Sequence, residues 1–190
     1  TNGKWLYSVY LPNRDLAARF DGWDQYLEVP DADDLSIATT GVLTIEAWIR
    51  PTELQFPAQQ GSGYVHWLGK GVPLQHEYAL RMYSKTTSDN PPRPNRISGY
   101  AFNLEGGLGS GSYFQDNIQA REWIHVVVVH TTIPSGAEFP TGSVKIYRDG
   151  ALRDTTPLDQ YDIAPESGSA PLRIGTRDLR SYFMGAVAKV

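Results

Sequence analysis

The sequence predicts an all-β domain, a sandwich or a barrel of short antiparallel strands. Three observations carry that reading. Apolar and polar residues alternate with period two through most of the chain, with almost no helical period. Gly, Pro, Asn and Asp interrupt the alternation at short intervals. The composition, with 12% aromatic residues, 18 Gly and 13 Pro, suits many short strands joined by tight turns. A chain of 190 residues is enough for one domain with a sizeable core, so one domain over residues 1–190 is expected.

The elements follow in order. "AARF" reads as a strand closed by a tight turn at Asp21-Gly22, and "QYLEV" as a strand that exits through Pro30-Asp31. "LTIEAWIRP", "YVHWLGKG", "YALRMYS" and "SGYAFNLEG" each alternate over five to eight residues. "WIHVVVVHTT" is an almost unbroken apolar run, suited to a central strand buried on both sides or packed against a neighbour. In "SVKIYRDGALR" the pair Asp149-Gly150 supplies the positive φ values of a type I′ hairpin, and "PLRIGTR" reads as a further strand. Two loops are long for a compact domain. Residues 86–96 carry three prolines that deny ladder donors, and residues 134–142 are rich in Gly and Pro.

Charge and composition narrow the partners. A net charge of −4 gives no general attraction for phosphate backbones or anionic lipid, so neither nucleic acid nor a membrane surface is expected. No stretch approaches the roughly eighteen apolar residues of a membrane span. The opening "TNGKWLYSVY" lacks the basic and apolar regions of a signal peptide. Without cysteine there is neither a disulfide scaffold nor a thiol nucleophile.

Taken together, "AARFDGWDQYLEVPDADDLSI", "LTIEAWIRP", "WLGKG", "YALRM", "REWIHVVVVH", "VKIYRDGAL", "PLRIGTR" and "FMGAV" resemble, in order, the laminin-G-like domains of the concanavalin A-like lectin/glucanase superfamily. The resemblance implies a two-sheet antiparallel jelly roll. It also implies a non-catalytic module that binds glycans or proteins and in some members holds calcium. The parent protein is expected to be secreted or displayed on a cell or virion surface. Relatives continue past "GAV" with a further strand, whereas this chain stops at "AKV", so a fragment of a longer protein with further domains is expected.

Calcium takes six to eight oxygens, largely carboxylates and carbonyls, and Asp31, Asp33 and Asp34 invite that reading. The EF-hand spacing fails, because a loop starting at Asp31 has Ser36 where Gly is needed and Val42 where Glu is needed. Turn chemistry accounts for the same acids. Relatives commonly read Gly-x-Asp-Asp-Tyr and Gly-Ala-Ile-Asp-Glu-Val, where this chain has Gln25 and Ala188 at two of the acidic positions and Lys189 in place of the Glu. No cofactor is expected, and calcium is the one ion the resemblance leaves open.

Enzymes of the superfamily set the alternative. Retaining glucanases place carboxylates at Glu-x-Asp-x-x-Glu, since alternate strand positions aim both at one sugar. Glu46 has Thr44 and Trp48 as alternate neighbours instead. A polysaccharide lyase would need a base with a charge-neutralising partner, and His66, His76, Arg81, Tyr83 and Tyr100 are the residues that could supply them. "GSGYVHWLGKG" fails the phosphate-loop spacing and "GGLGSGS" lacks the third glycine of a dinucleotide turn. His125 and His130 are five apart, on opposite faces of one strand.

Sugar rings stack on aromatic faces while polar neighbours bond the hydroxyls. On alternation, Ala79, Arg81 and Tyr83 oppose a core set of Tyr78, Leu80 and Met82. Tyr64, His66 and Leu68 oppose Val65 and Trp67, and Ala101 with Asn103 oppose Tyr100, Phe102 and Leu104. The polar sets converge on Tyr64, His66, Arg81, Tyr83 and Asn103 as the candidate carbohydrate site, against the simpler account of a solvated sheet face. Trp5, Trp23, Trp48, Trp67 and Trp123 read as core or edge plugs, with Trp23 the one to test. A module that displays or binds surface proteins, as in an adhesin or phage particle, is the reading from a different class.

Overall fold

The computed structural model describes residues 8–10 and 16–190, which leaves Trp5 outside the described residues. The strands are β1 (Ser8–Tyr10), β2 (Leu16–Asp21), β3 (Leu27–Val29), β4 (Val42–Pro51), β5 (Tyr64–Val72), β6 (Gln75–Tyr83), β7 (Ile97–Ala101), β8 (Ser110–Phe114), β9 (Ile124–Thr131), β10 (Ser143–Arg148), β11 (Ala151–Pro157), β12 (Leu172–Ile174) and β13 (Met184–Ala188). A four-residue helix, α1 (Ile37–Thr40), precedes β4. The strands form two antiparallel sheets, β1-β2-β13-β4-β9-β10-β11 and β3-β12-β5-β6-β7-β8. Strands distant in sequence are neighbours in both, with β13 between β2 and β4 and β12 between β3 and β5, and the architecture is a jelly-roll β-sandwich.

Alternation selects the inner faces. Ile124, Val126, Val128 and His130 of β9 are buried while His125, Val127, Val129 and Thr131 are half-buried, so the apolar run packs against the opposite sheet on one side only. Ile45, Ala47 and Ile49 of β4 and Val144 and Ile146 of β10 join that face, and Val65, Trp67, Tyr78, Leu80, Met82, Ile97, Ala101 and Phe114 meet it from the six-stranded sheet. Each fully buried aliphatic or aromatic side chain contributes about 1.5–3 kcal/mol, and this repeated burial fixes the register, since a one-residue slip would expose a whole inner face. The β10–β11 hairpin turns on Asp149 (φ 50°) and Gly150 (φ 82°), as the type I′ turn requires.

Three expectations about faces are corrected. A bulge at Trp67 separates the pair His66–Arg81 from the pair Leu68–Leu80, so both Trp67 and Leu68 enter the core and Leu68 leaves the polar set. The faces of β7 are the reverse of those expected. Ile97 and Ala101 are core, and a Cβ on Gly99 would lie 2.6 Å from a Val128 methyl across the sandwich. The inner face of β7 admits only small side chains at that closest approach, which sends Tyr100 and Phe102 to the outer face. The third correction is that the outer face of β5 and β6 is not a solvated surface: Tyr64 and Arg81 are half-buried, whereas His66, Ala79 and Tyr83 are buried there. Part of the segment "GGLGSGS", read as an interstrand loop, belongs to β8.

The acidic turns are structural. Asp21 Oδ1 accepts hydrogen bonds from the backbone N–H groups of Trp23 and Asp24, and Gln25 Oε1 accepts from Asp21 N–H. Asp31 binds Lys70 Nζ at 2.7 Å. The fully buried Lys70 also donates to Glu77 and, at 2.7 Å, to the carbonyl of Gly168. An ammonium thus occupies the oxygens of Asp31, Glu77 and the Gly168 carbonyl. Among the described residues no group of three or more His, Asp or Glu side chains is placed to hold a metal ion. Trp67 is core, Trp48 and Trp123 cover the small cluster of Ala17, Ala186 and Ala188, and Trp23 stands 61% exposed on its turn.

Candidate functional site

The outer face of the six-stranded sheet carries the site. Register aligns Tyr64 with Tyr83, His66 with Arg81, Arg81 with Ser98, Ser98 with Tyr113, and Ala79 with Tyr100. Residues paired across antiparallel strands share a face, so four neighbouring strands bring Tyr64, His66, Arg81, Tyr83, Tyr100 and Tyr113 to one surface. Glycine makes the aromatic packing there. A Cβ on Gly111 would sit 2.1 Å from the Tyr100 ring, and one on Gly109 2.5 Å from the Phe102 ring. Both rings therefore occupy space that a side chain at either glycine would fill.

Arg81 is the centre of the arrangement. Its guanidinium carbon lies 4.4 Å from the Tyr64 ring centroid, 4.8 Å from that of Tyr100 and 5.3 Å from that of Phe102, within cation–π range. Its Nε donates to His66 Nε2 at 3.1 Å. Burial, followed by the charges of Arg81 and Arg177, holds His66 well below its ordinary pKa, so the ring is neutral and its proton sits on Nδ1. There Ser181 Oγ accepts from it at 3.3 Å and Asp178 Oδ1 lies at 3.8 Å. Burial, with Tyr83 next, pushes the Tyr100 hydroxyl up to about 12, which keeps it protonated.

The loop of residues 86–96 forms one rim. Arg93 Nη1 donates to the Tyr83 hydroxyl at 3.3 Å. Arg96 binds Gln115 Oε1 through two nitrogens and lies 3.7 Å over the Tyr113 ring. The groove so formed encloses about 350 Å³, with Leu108 and Tyr161 also in its lining, and among the described residues no Asp or Glu lines it. A second cavity of about 330 Å³ lies over the other sheet, lined by Arg19, Arg50, Thr52, Arg121 and Ala186. Its lining offers no aromatic face.

Tyr64, His66, Arg81 and Tyr83 are thus brought together, with qualifications of role. His66 is fully buried beneath Arg81, and Tyr83 is only 2% exposed, covered by its neighbours although the outer face had been expected to leave it free. Asn103 does not join them. Its Nδ2 donates to the Asp162 carbonyl and its Oδ1 accepts from Ala164 N–H, which ties the segment after Tyr161 to the exit of β7. His76 packs on Phe102 at 6.1 Å between centroids and does not line the groove. Sequence reasoning missed Phe102, Arg93, Arg96, Tyr113 and Tyr161. The available signals were the glycines of "GGLGSGS", which leave space for rings, and the two arginines in the long rim loop.

Comparison with known proteins agrees with this architecture. Residues 20–190 match the laminin G family described as the concanavalin A-like lectin/glucanases superfamily. No curated protein matches the sequence. Among solved structures, domain 4 of AbnA, a GH43 extracellular arabinanase from Geobacillus stearothermophilus in complex with arabinotriose, is 13% identical with a TM-score of 0.58, over 97% of this chain and 73% of that one. The CBM40 of the Ruminococcus gnavus IT-sialidase is 10% identical with a TM-score of 0.53, over 90% and 88%. The heptameric SAP-like pentraxin of Limulus polyphemus is 13% identical with a TM-score of 0.51, over 90% and 65%. At these identities the likeness is one of fold.

Proposed function

From the premise that this chain belongs to the concanavalin A-like lectin/glucanases superfamily, we propose that it is a non-catalytic carbohydrate-binding module of a larger secreted or surface protein. Its glycan would lie in the groove of Tyr64, Arg81, Tyr100 and Tyr113. The observation that carries this reading is the set of aromatic faces held around a guanidinium in an open groove on a sheet. Aromatic faces stack on sugar rings at about 0.5–1.5 kcal/mol beyond their burial, while Arg81 and the tyrosine hydroxyls supply hydrogen bonds to ring substituents. Hydrolysis by paired carboxylates has no residues in this groove, and both nitrogens of His66 are engaged, which leaves it no free position as a base.

Binding of the purified chain to a panel of soluble polysaccharides and oligosaccharides tests the proposal. Measurable affinity that Tyr100→Ala and Tyr113→Ala weaken, with unchanged melting temperature, supports it. Failure to bind any glycan moves the weight to a protein-display module. Release of unsaturated sugar products from a bound polysaccharide would replace the binding reading with a lyase.

A further inference from the structure

Resting on the reading of the groove as a glycan site, we infer that the sugar it takes carries a carboxylate, of the uronate or sialate class, and that Arg81 reads it. The chain carries a net charge of −4, yet the groove is lined by Arg81, Arg93 and Arg96 and by no acid. Four arginines elsewhere are matched to carboxylates. Arg148 and Arg153 share Asp116, Arg173 pairs with Glu28 and Arg177 with Asp178. Among the described residues, only Arg93 of the three groove arginines has such a partner, Asp89 at 3.4 Å. Arg96 binds the neutral Gln115, and Arg81 binds the neutral His66 through Nε.

An arginine held by an uncharged acceptor keeps its whole charge for the ligand. The Nε–His66 bond and the flanking rings of Tyr64, Tyr100 and Phe102 fix the guanidinium plane, and a fixed planar fork matches a carboxylate through two parallel N–H···O bonds. The half-buried, aromatic surround lowers the local dielectric and strengthens attraction for an anion. A carboxylate accepts hydrogen bonds and donates none, which fits a wall rich in guanidinium donors. Arg93 and Arg96 on the rim add attraction at longer range, so affinity should fall with salt.

The test titrates the chain with polygalacturonate and sialyllactose, with fully methyl-esterified polygalacturonate and arabinan as neutral controls and dextran sulfate as an anionic one. The expected result is binding to a carboxylated ligand in preference to its neutral counterpart. Arg81→Ala should weaken that binding by about tenfold to a hundredfold. Arg81→Lys, which keeps the charge without the fork, should recover only part of it, and both variants should melt as the wild type does. Equal binding of neutral and carboxylated glycans overturns the inference and leaves the carbohydrate reading standing. Binding of dextran sulfate alone, or carboxylate binding that both variants retain, overturns it as well. Binding to nothing on this panel and the wider glycan panel removes the carbohydrate reading and the inference with it.

Discussion

Arg81 Nε donates to His66 Nε2 at 3.1 Å across the β5–β6 pair, so the most central cation of the groove is aimed by a buried neutral ring. The contact joins the two halves of the site. Below Arg81, His66 is held by Ser181; above it, the rings of Tyr64, Tyr100 and Phe102 flank the guanidinium. On the proposed reading of the groove, His66 is a positioning residue.

Removing the acceptor should loosen Arg81 without removing its charge. His66→Leu is expected to weaken glycan binding by about twofold to tenfold, the worth of one hydrogen bond. His66→Gln, which restores an acceptor, should recover part of the loss. Calorimetric titration of both variants beside thermal melts checks this, and equal affinity in His66→Leu would show that the contact aims nothing.

The buried ion cluster should matter to stability more than any exposed pair. Lys70→Met leaves Glu77 buried without its cation, and a buried charge stripped of its partner costs about 3–5 kcal/mol. Denaturant unfolding of Lys70→Met should show a loss of that order. The double variant Lys70→Met/Glu77→Leu should regain most of it, since apolar replacement of both members removes the orphaned charge.

Millimolar calcium is expected to leave the melting temperature of the wild type unchanged, because Asp31 is committed to Lys70 and Asp21 to its own turn. An ion that bound the folded state alone would raise it in proportion to occupancy. Calorimetric scans with calcium and with chelator decide the matter. A rise of several degrees that chelator reverses would count against this assignment.

Acid should destabilise the fold through His130. Burial lowers its pKa from 6.5 to about 4, so the unfolded chain binds a proton that the folded chain refuses. Stability is complete above pH 6.5 and is lost progressively between pH 6.5 and about 4. At about 1.4 kcal/mol per pKa unit the loss is on the order of 3 kcal/mol. His66, shifted the same way, adds to it. Unfolding free energies measured from pH 8 to pH 4 should therefore decline less steeply in His130→Leu than in the wild type.

Much of this protein was determined by its sequence. Period-two alternation placed Tyr78, Leu80 and Met82 in the core, Asp149-Gly150 closed its hairpin, and Tyr64, His66 and Arg81 were bound to share a face once β5 and β6 paired. These are local facts, set by backbone geometry and by which side of a strand is apolar. The tertiary structure decided what alternation leaves open. In "ISGYAF" both sets hold apolar residues, and the more aromatic one looked like core. Val128, packed against Gly99 from the other sheet, turned Tyr100 and Phe102 outward instead. One bulged residue, Trp67, reversed the side on which Leu68 falls. Arg93 and Arg96 reach the groove from a loop whose path no periodicity describes, and Asn103 was drawn away by the backbone of residues 162 and 164. Alternation fixes which residues share a face. Which face turns inward, and what gathers on the outer one, depends on the volume left by a sheet distant in sequence and on the polar groups its loops bring within reach.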